Sequence, residues 1–151
     1  MQQMEQKVEE LSQLICHLTR RCNLKEDFFA ASFNLSPTEV RLLRLFNYSV
    51  TYTVKELKDR LQLTSGRITH IISSLEKKKL IIRTQDNEDK RNVSVSLLPK
   101  AEPLINNLQK SYQDLHQTIL QNIPESEIDK MTEAITLLVG VFDKWVDEKN
   151  F

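Results

Sequence analysis

Glycine and proline are scarce in this chain, with two glycines and four prolines among 151 residues. So few flexible or chain-breaking positions leave no material for a glycine-rich phosphate loop and little for tight turns, which predicts a mainly helical protein. Cysteine is scarcer than any disulfide framework requires: Cys16 and Cys22 sit six positions apart, nearly two turns of one helix, which disfavours a bridge between them. No apolar run approaches the roughly 18 residues of a membrane span. At the amino end, Gln3, Glu5, Lys7, Glu9 and Glu10 break up the apolar positions, unlike a signal peptide. A soluble, cytoplasmic protein without a membrane partner is therefore expected. Net charge is also missing, 21 basic against 21 acidic residues, which argues against a protein that coats nucleic acid indiscriminately. His17, His70 and His116 are scattered without metal-ligand spacing and no nucleophile motif is present, so neither an enzyme, a metal site nor a cofactor is expected.

What is present is segregated charge. Residues 55–91 carry ten Lys and Arg against six Asp and Glu, whereas residues 101–151 carry four against nine. A basic middle and an acidic end suit a DNA reader whose far side faces away from phosphate, although two solvated helix faces of opposite sign would read the same way.

Apolar periodicity divides the chain into elements. Val8, Leu11, Ile15 and Leu18 recur at helical spacing and predict a long first helix over residues 8–33. Ser36, Pro37 and Glu39 form a helix start with a capping box, leading into Val40, Leu43 and Phe46. Thr53 and Glu56 repeat the box ahead of a short helix carrying Val54, Leu57 and Leu61, which ends at Gln62 or Leu63. A fourth helix starts at Thr64 or Ser65 and buries Ile68, Ile71, Ile72 and Leu75. A joint of about three residues between a short helix and a longer one is a helix-turn-helix. Strand-like residues 81–84 and 92–98 follow, with Val93, Val95 and Leu97 alternating and a charged loop between: a wing.

Two further helices close the chain, the first with Leu108, Tyr112, Leu115 and Ile119, the second opening near Pro124. On the second, Ile128, Met131, Ile135, Leu138, Phe142 and Trp145 follow heptad spacing, a seam that suits a partner helix as well as a neighbour in its own subunit. With the stripe on the first helix, it predicts a homodimer joined through both ends of the sequence.

The order of elements, and above all the stretch LTSGRITHIISSLEKKKLIIRTQDNEDKRNVSVSLLPKA at residues 63–101, resembles the MarR family of bacterial winged helix-turn-helix regulators. Asp89, Lys90 and Arg91 match that family's Asp-x-Arg wing motif. Departures are Lys79 and Ala101, where the family usually has glycine. The resemblance implies a mainly α fold with a small β-wing: a winged helix-turn-helix DNA-binding domain at residues 35–100, and a helical dimerisation layer from residues 1–34 and 101–151. It also implies a transcriptional repressor whose DNA affinity responds to a small ligand or an oxidant.

With one face of the fourth helix buried, the other presents Ser65, Gly66, Thr69, His70 and Ser73, with Arg67 at its flank, toward a major groove read by residues 64–78. Arg67 suits a bidentate contact to guanine or a phosphate contact, and His70 a base edge or plain solvent. Arg91, on the wing at residues 81–98, suits a minor groove. Lys77, Lys78, Arg83 and Lys90 are candidate phosphate contacts, and the helix starts at Ser36, Thr38 and Thr53 candidate backbone anchors. Asp89 is expected to stabilise the wing by pairing with an arginine, as in the family, or to be a solvated carboxylate. Duplex DNA read as a near-palindrome by two copies is the expected partner. The competing readings are a winged-helix module that binds protein and not DNA, and a redox-sensing regulator using Cys16 or Cys22, since some relatives carry a sensing cysteine on the first helix and Arg20 and Arg21 supply positive charge nearby.

Overall fold

A computed structural model describes residues 1–149. Six helices and a three-stranded sheet run in the order α1 (Gln2–Ser32), α2 (Pro37–Leu45), β1 (Thr51–Thr53), α3 (Val54–Leu61), α4 (Ser65–Lys77), β2 (Ile81–Gln85), β3 (Val93–Leu97), α5 (Glu102–Leu120) and α6 (Glu125–Lys149). They form two compact units, Met1–Tyr112 and the residues from Gln113 onward.

Helix ends in the first unit follow local chemistry. Ser36 and Thr53 each accept from the backbone N–H three residues on, and Glu39 and Glu56 reach back to the cap amides at 2.8 and 2.7 Å, so both expected capping boxes are closed. Thr64 caps α4 through the Arg67 amide. Helix α1 begins at Gln2, earlier than its apolar stripe, because the polar residues ahead of Val8 are themselves good helix formers. Both α1 and α4 close in Schellman turns. Leu35 N–H reaches Ala30 O and Leu80 N–H reaches Leu75 O, with Asn34 (φ 56°) and Lys79 (φ 59°) in the left-handed conformation. A short 3₁₀ turn, Pro99–Ala101, leads into α5, so Pro103 falls in its first turn, where no amide hydrogen is needed.

The sheet has the order β1-β3-β2, all antiparallel, and β3 pairs Ser96 with both Thr51 and Ile82. The wing is therefore three-stranded at its base, where the residue pattern suggested only a hairpin. Strand β1 is three residues long and runs straight into the cap of α3, too short to show alternation. Its middle residue, Tyr52, is buried, donates its hydroxyl to Leu45 O at 2.7 Å and packs edge-on against Phe46.

Val40, Leu42, Leu43, Leu57, Ile68, Ile72, Leu75, Ile81, Val95 and Leu108 are essentially inaccessible and make one core. Each contributes about 1.5 to 3 kcal/mol of burial. Because α2, α3, α4 and β3 all meet in it, the outer face of α4 is presented from a rigid base.

Candidate nucleic-acid interface

Ile68, Ile71, Ile72 and Leu75 turn inward along α4, leaving Ser65, Gly66, Arg67, Thr69 and His70 exposed on its other side. Among the described residues no ion pair engages Arg67. The Thr69 hydroxyl donates within the helix to Ser65 O at 2.8 Å. A Cβ added at Gly66 would meet nothing within 4 Å, so the chain's own packing does not require glycine there.

Ser73 lies at the edge of this face, half-buried, and accepts from Arg83 Nη2 at 3.4 Å. Arg83 is more firmly held by Glu76, whose carboxylate accepts Nη2 at 2.7 Å and the Arg83 amide at 3.0 Å. The residue expected to neutralise phosphate thus ties β2 to α4. Lys78, expected to do the same, points inward: its ammonium donates to Glu39 at 2.8 Å and to Asn34 O at 3.0 Å. A buried carboxylate attracts the nearest long cation more strongly than solvent does, and periodicity could not reveal it because Glu39 lies 39 residues away. Lys77 remains exposed.

Residues 86–92 form the wing tip. Asp89 accepts the Arg91 amide at 3.0 Å, Asp86 accepts the Glu88 amide at 2.9 Å, and the Gln85 side chain donates to Lys90 O at 2.7 Å. No ion pair joins Asp89 to an arginine among the described residues; its carboxylate holds the turn through the Arg91 backbone amide instead. Lys90 and Arg91 are exposed.

Helix starts border the site unevenly. Ser36 is exposed, whereas Thr38 and Thr53 are half-buried, and the Thr53 hydroxyl already bonds Glu56. The Thr53 amide and hydroxyl hold the Glu56 carboxyl below its ordinary value. Cys16 and Cys22 are free, exposed thiols on α1, away from this surface in sequence and on a different element. No three His, Cys, Asp or Glu side chains among the described residues are grouped to hold a metal ion. Among the described residues no helix is long and apolar enough to cross a membrane.

Where α1, α2 and the middle of α5 meet, the Arg44 guanidinium lies over the Tyr112 ring, 3.6 Å from its centroid, and its Nε is buried without a hydrogen-bond partner among the described residues. Burial, then the hydrogen bond to Glu26, raise the Tyr112 pKa. Arg41 and Thr38 line a cleft beside this stack. Sequence reasoning named Thr38 as a helix start and Tyr112 as an apolar helix position, but missed the stack because Arg44 and Tyr112 lie 68 residues apart.

Residues 35–93 match the family model described as MarR family. That stretch, from the start of α2 to the wing, is similar to the MarR family. Among curated relatives, the HTH-type transcriptional regulator SarZ of Staphylococcus epidermidis is 28% identical over 145 residues, covering 91% of this chain and 95% of the relative. A MarR family protein from Bacillus stearothermophilus superposes with a TM-score of 0.76 at 20% identity, over 92% of this chain and 97% of that one. The S. aureus MepR–DNA complex gives 0.75 at 21% identity, over 87% and 97%. The fold of this chain is therefore the winged-helix fold of those solved structures, mainly helical with a small antiparallel sheet.

Proposed function

We propose that this protein is a MarR-type transcriptional regulator, a cytoplasmic homodimeric repressor that binds a near-palindromic duplex, with α4 in the major groove and the wing in the minor groove. One observation carries the reading: an exposed polar face on α4, backed by a continuous core, lies next in the chain to a braced hairpin whose Lys90 and Arg91 enter no ion pair among the described residues. Ser65, Gly66, Arg67, Thr69 and His70 read bases or approach phosphate. Ser73 and Arg83 flank them while bracing the wing. Lys77, Lys90 and Arg91 carry charge to the backbone and minor groove, and Ser36, Thr38 and Thr53 anchor helix starts near phosphate. Asp89 stabilises the wing.

Residues 35–100 act as the reading domain, and residues 1–34 and 101–151 as the dimerisation region. Exposed Val8, Leu11 and Leu18 on α1, and exposed Ile128, Met131, Ile135 and Phe142 on α6, support the second assignment, since apolar stripes of this length rarely stay in water. Two copies would place their recognition helices about one helical turn, roughly 34 Å, apart. A small-molecule effector acting where α1, α2 and α5 meet would alter that spacing.

Titration of a labelled duplex, selected from random-sequence DNA by the protein, tests the reading. Affinity should fall steeply with salt, and Arg91→Ala should lower the slope of log affinity against log salt by about 1. Equal, weak binding to every duplex would favour a module that binds protein instead. The exposed thiols favour a second, narrower reading in which oxidation of Cys16 or Cys22 releases DNA. Loss of binding on peroxide treatment, restored by dithiothreitol and absent in Cys→Ser variants, is its signature; indifference to peroxide removes it.

A further inference from the structure

Glu39 is the only charged residue in the core among the described residues, 3% exposed, and capping Ser36 uses only part of its carboxylate. Its Oε2 accepts the Ser36 amide and the Lys78 ammonium, each at 2.8 Å, and its Oε1 accepts the Ser74 hydroxyl at 2.6 Å. A capping glutamate ordinarily reaches back along a solvated surface. Here the same carboxylate grips the last turn of α4 and the residue that caps it.

Lys78 extends the grip. Its ammonium also donates to Asn34 O at 3.0 Å, and Asn34 is the left-handed residue at the corner between α1 and α2. The carboxyl end of α4 is thereby tied to that corner by charge-assisted hydrogen bonds, which are directional where apolar packing is not. Ser74 lies one turn beyond His70 on the same side of α4, and both line one cleft of about 530 Å³ with Glu39 and Lys78. A rotation of α4 that loosened Ser74 would carry His70 and Arg67 with it, because a helix moves as a rod. On the other side of α4, Glu76 makes the corresponding tie to the wing through Arg83.

We propose that Glu39 is a positioning residue for DNA recognition: by holding Ser74 and Lys78 it sets the rotation and tilt of α4 against the α1–α2 corner, and so governs sequence-specific affinity without touching DNA. The proposal rests on the DNA-binding reading above. It predicts a particular pattern of loss. Non-specific binding depends on charge delivered to phosphate and tolerates a few degrees of helix rotation, whereas base contacts do not.

The test compares wild type with Glu39→Gln, Ser74→Ala and the double variant Glu39→Gln/Lys78→Met. The double variant removes both charges together, so no uncompensated buried charge is left to prevent folding. Each is measured against the duplex that wild type enriches from a random library and against a scrambled duplex of the same composition. The temperature is chosen so that urea titration shows every variant folded. Glu39→Gln and the double variant should each lose about 10-fold in affinity for the enriched duplex, with scrambled-duplex affinity held within about 2-fold. Ser74→Ala should fall in the same direction by less.

Unchanged affinity for the enriched duplex in all three variants would assign Glu39 to stability alone and overturn the proposal. Equal loss on both duplexes in the double variant would also overturn it, because Lys78 would then be contacting phosphate. If wild type enriched no duplex at all, the DNA-binding reading itself would fail and take this proposal with it. That outcome is distinct from a wild type that binds alongside variants that are indifferent.

Discussion

Asn34, Gln62 and Lys79 all adopt positive φ at or just beyond helix ends, where a side chain costs about 1 to 2 kcal/mol relative to glycine. Glycine also loosens the unfolded chain, which offsets about half of that gain. Lys79→Gly should accordingly raise unfolding free energy in urea by about 0.5 kcal/mol, and Lys79→Val should lower it by about 1 kcal/mol, since branching at Cβ tolerates the left-handed region least. Gly66 behaves in the opposite sense. With open space around it, Gly66→Ala should stabilise α4 by about 0.5 kcal/mol. The same substitution should weaken duplex binding if a phosphate or base edge approaches that backbone. Anisotropy titration beside a urea melt separates the two effects, and unchanged DNA affinity would show that nothing approaches closely there.

Between elements, two glutamates hold α4 from opposite sides, and they differ in burial. Glu76 and Arg83 are both partly exposed, so solvent screens their attraction and the pair contributes under about 1 kcal/mol to stability. Their value is local. Glu76→Ala should leave the melting temperature nearly unchanged while speeding hydrogen exchange at the Arg83 amide, which donates to that carboxylate. Glu39 is deep enough for its charge state to matter to the fold. Burial by itself would raise its pKa, but the hydrogen bonds from Lys78, Ser74 and Ser36, with the charge of Lys78, outweigh burial and hold the carboxyl below its ordinary value near 4.5. A carboxyl lowered on folding stabilises the folded state fully above its unfolded pKa, and loses that contribution as pH falls through the folded value. The stability gap between wild type and Glu39→Gln should therefore be widest at neutral pH and narrow below about pH 4.5. A gap constant down to pH 3 would mean that the carboxylate carries no net linkage.

For the molecule as a whole, the apolar stripes on α1 and α6 are the features least compatible with a lone chain in water. Ile135→Asp places a charge in the middle of the α6 seam. In sedimentation velocity it should convert a species of twice the chain mass to one of single mass, and it should abolish high-affinity binding to a two-half-site duplex while sparing the circular dichroism of the winged domain. A wild type that sediments as a monomer at micromolar concentration would overturn the dimeric reading. Charge is distributed at the same scale: the basic middle of the chain supplies α4 and the wing, and the acidic carboxyl-terminal stretch supplies helices that the proposed reading keeps away from phosphate.

Much of this protein follows from local rules that a linear string can express. Capping boxes at Ser36 and Thr53, the buried isoleucines of α4 and the alternation in β3 are all contacts made within a few residues, so residue order alone determined the helix-turn-helix, the wing and the exposed face between them. What tertiary structure decided are the pairings across long separations: β1 against β3, Arg44 over Tyr112, and Glu39 with Ser74 and Lys78. Lys78 and Arg83 read as phosphate contacts in sequence because a lysine or arginine on a helix or strand is solvated unless something distant claims it. Whether a partner carboxylate lies within 3 Å is settled by how the helices cross, and helix crossing is a property of the packed core rather than of any short stretch of chain.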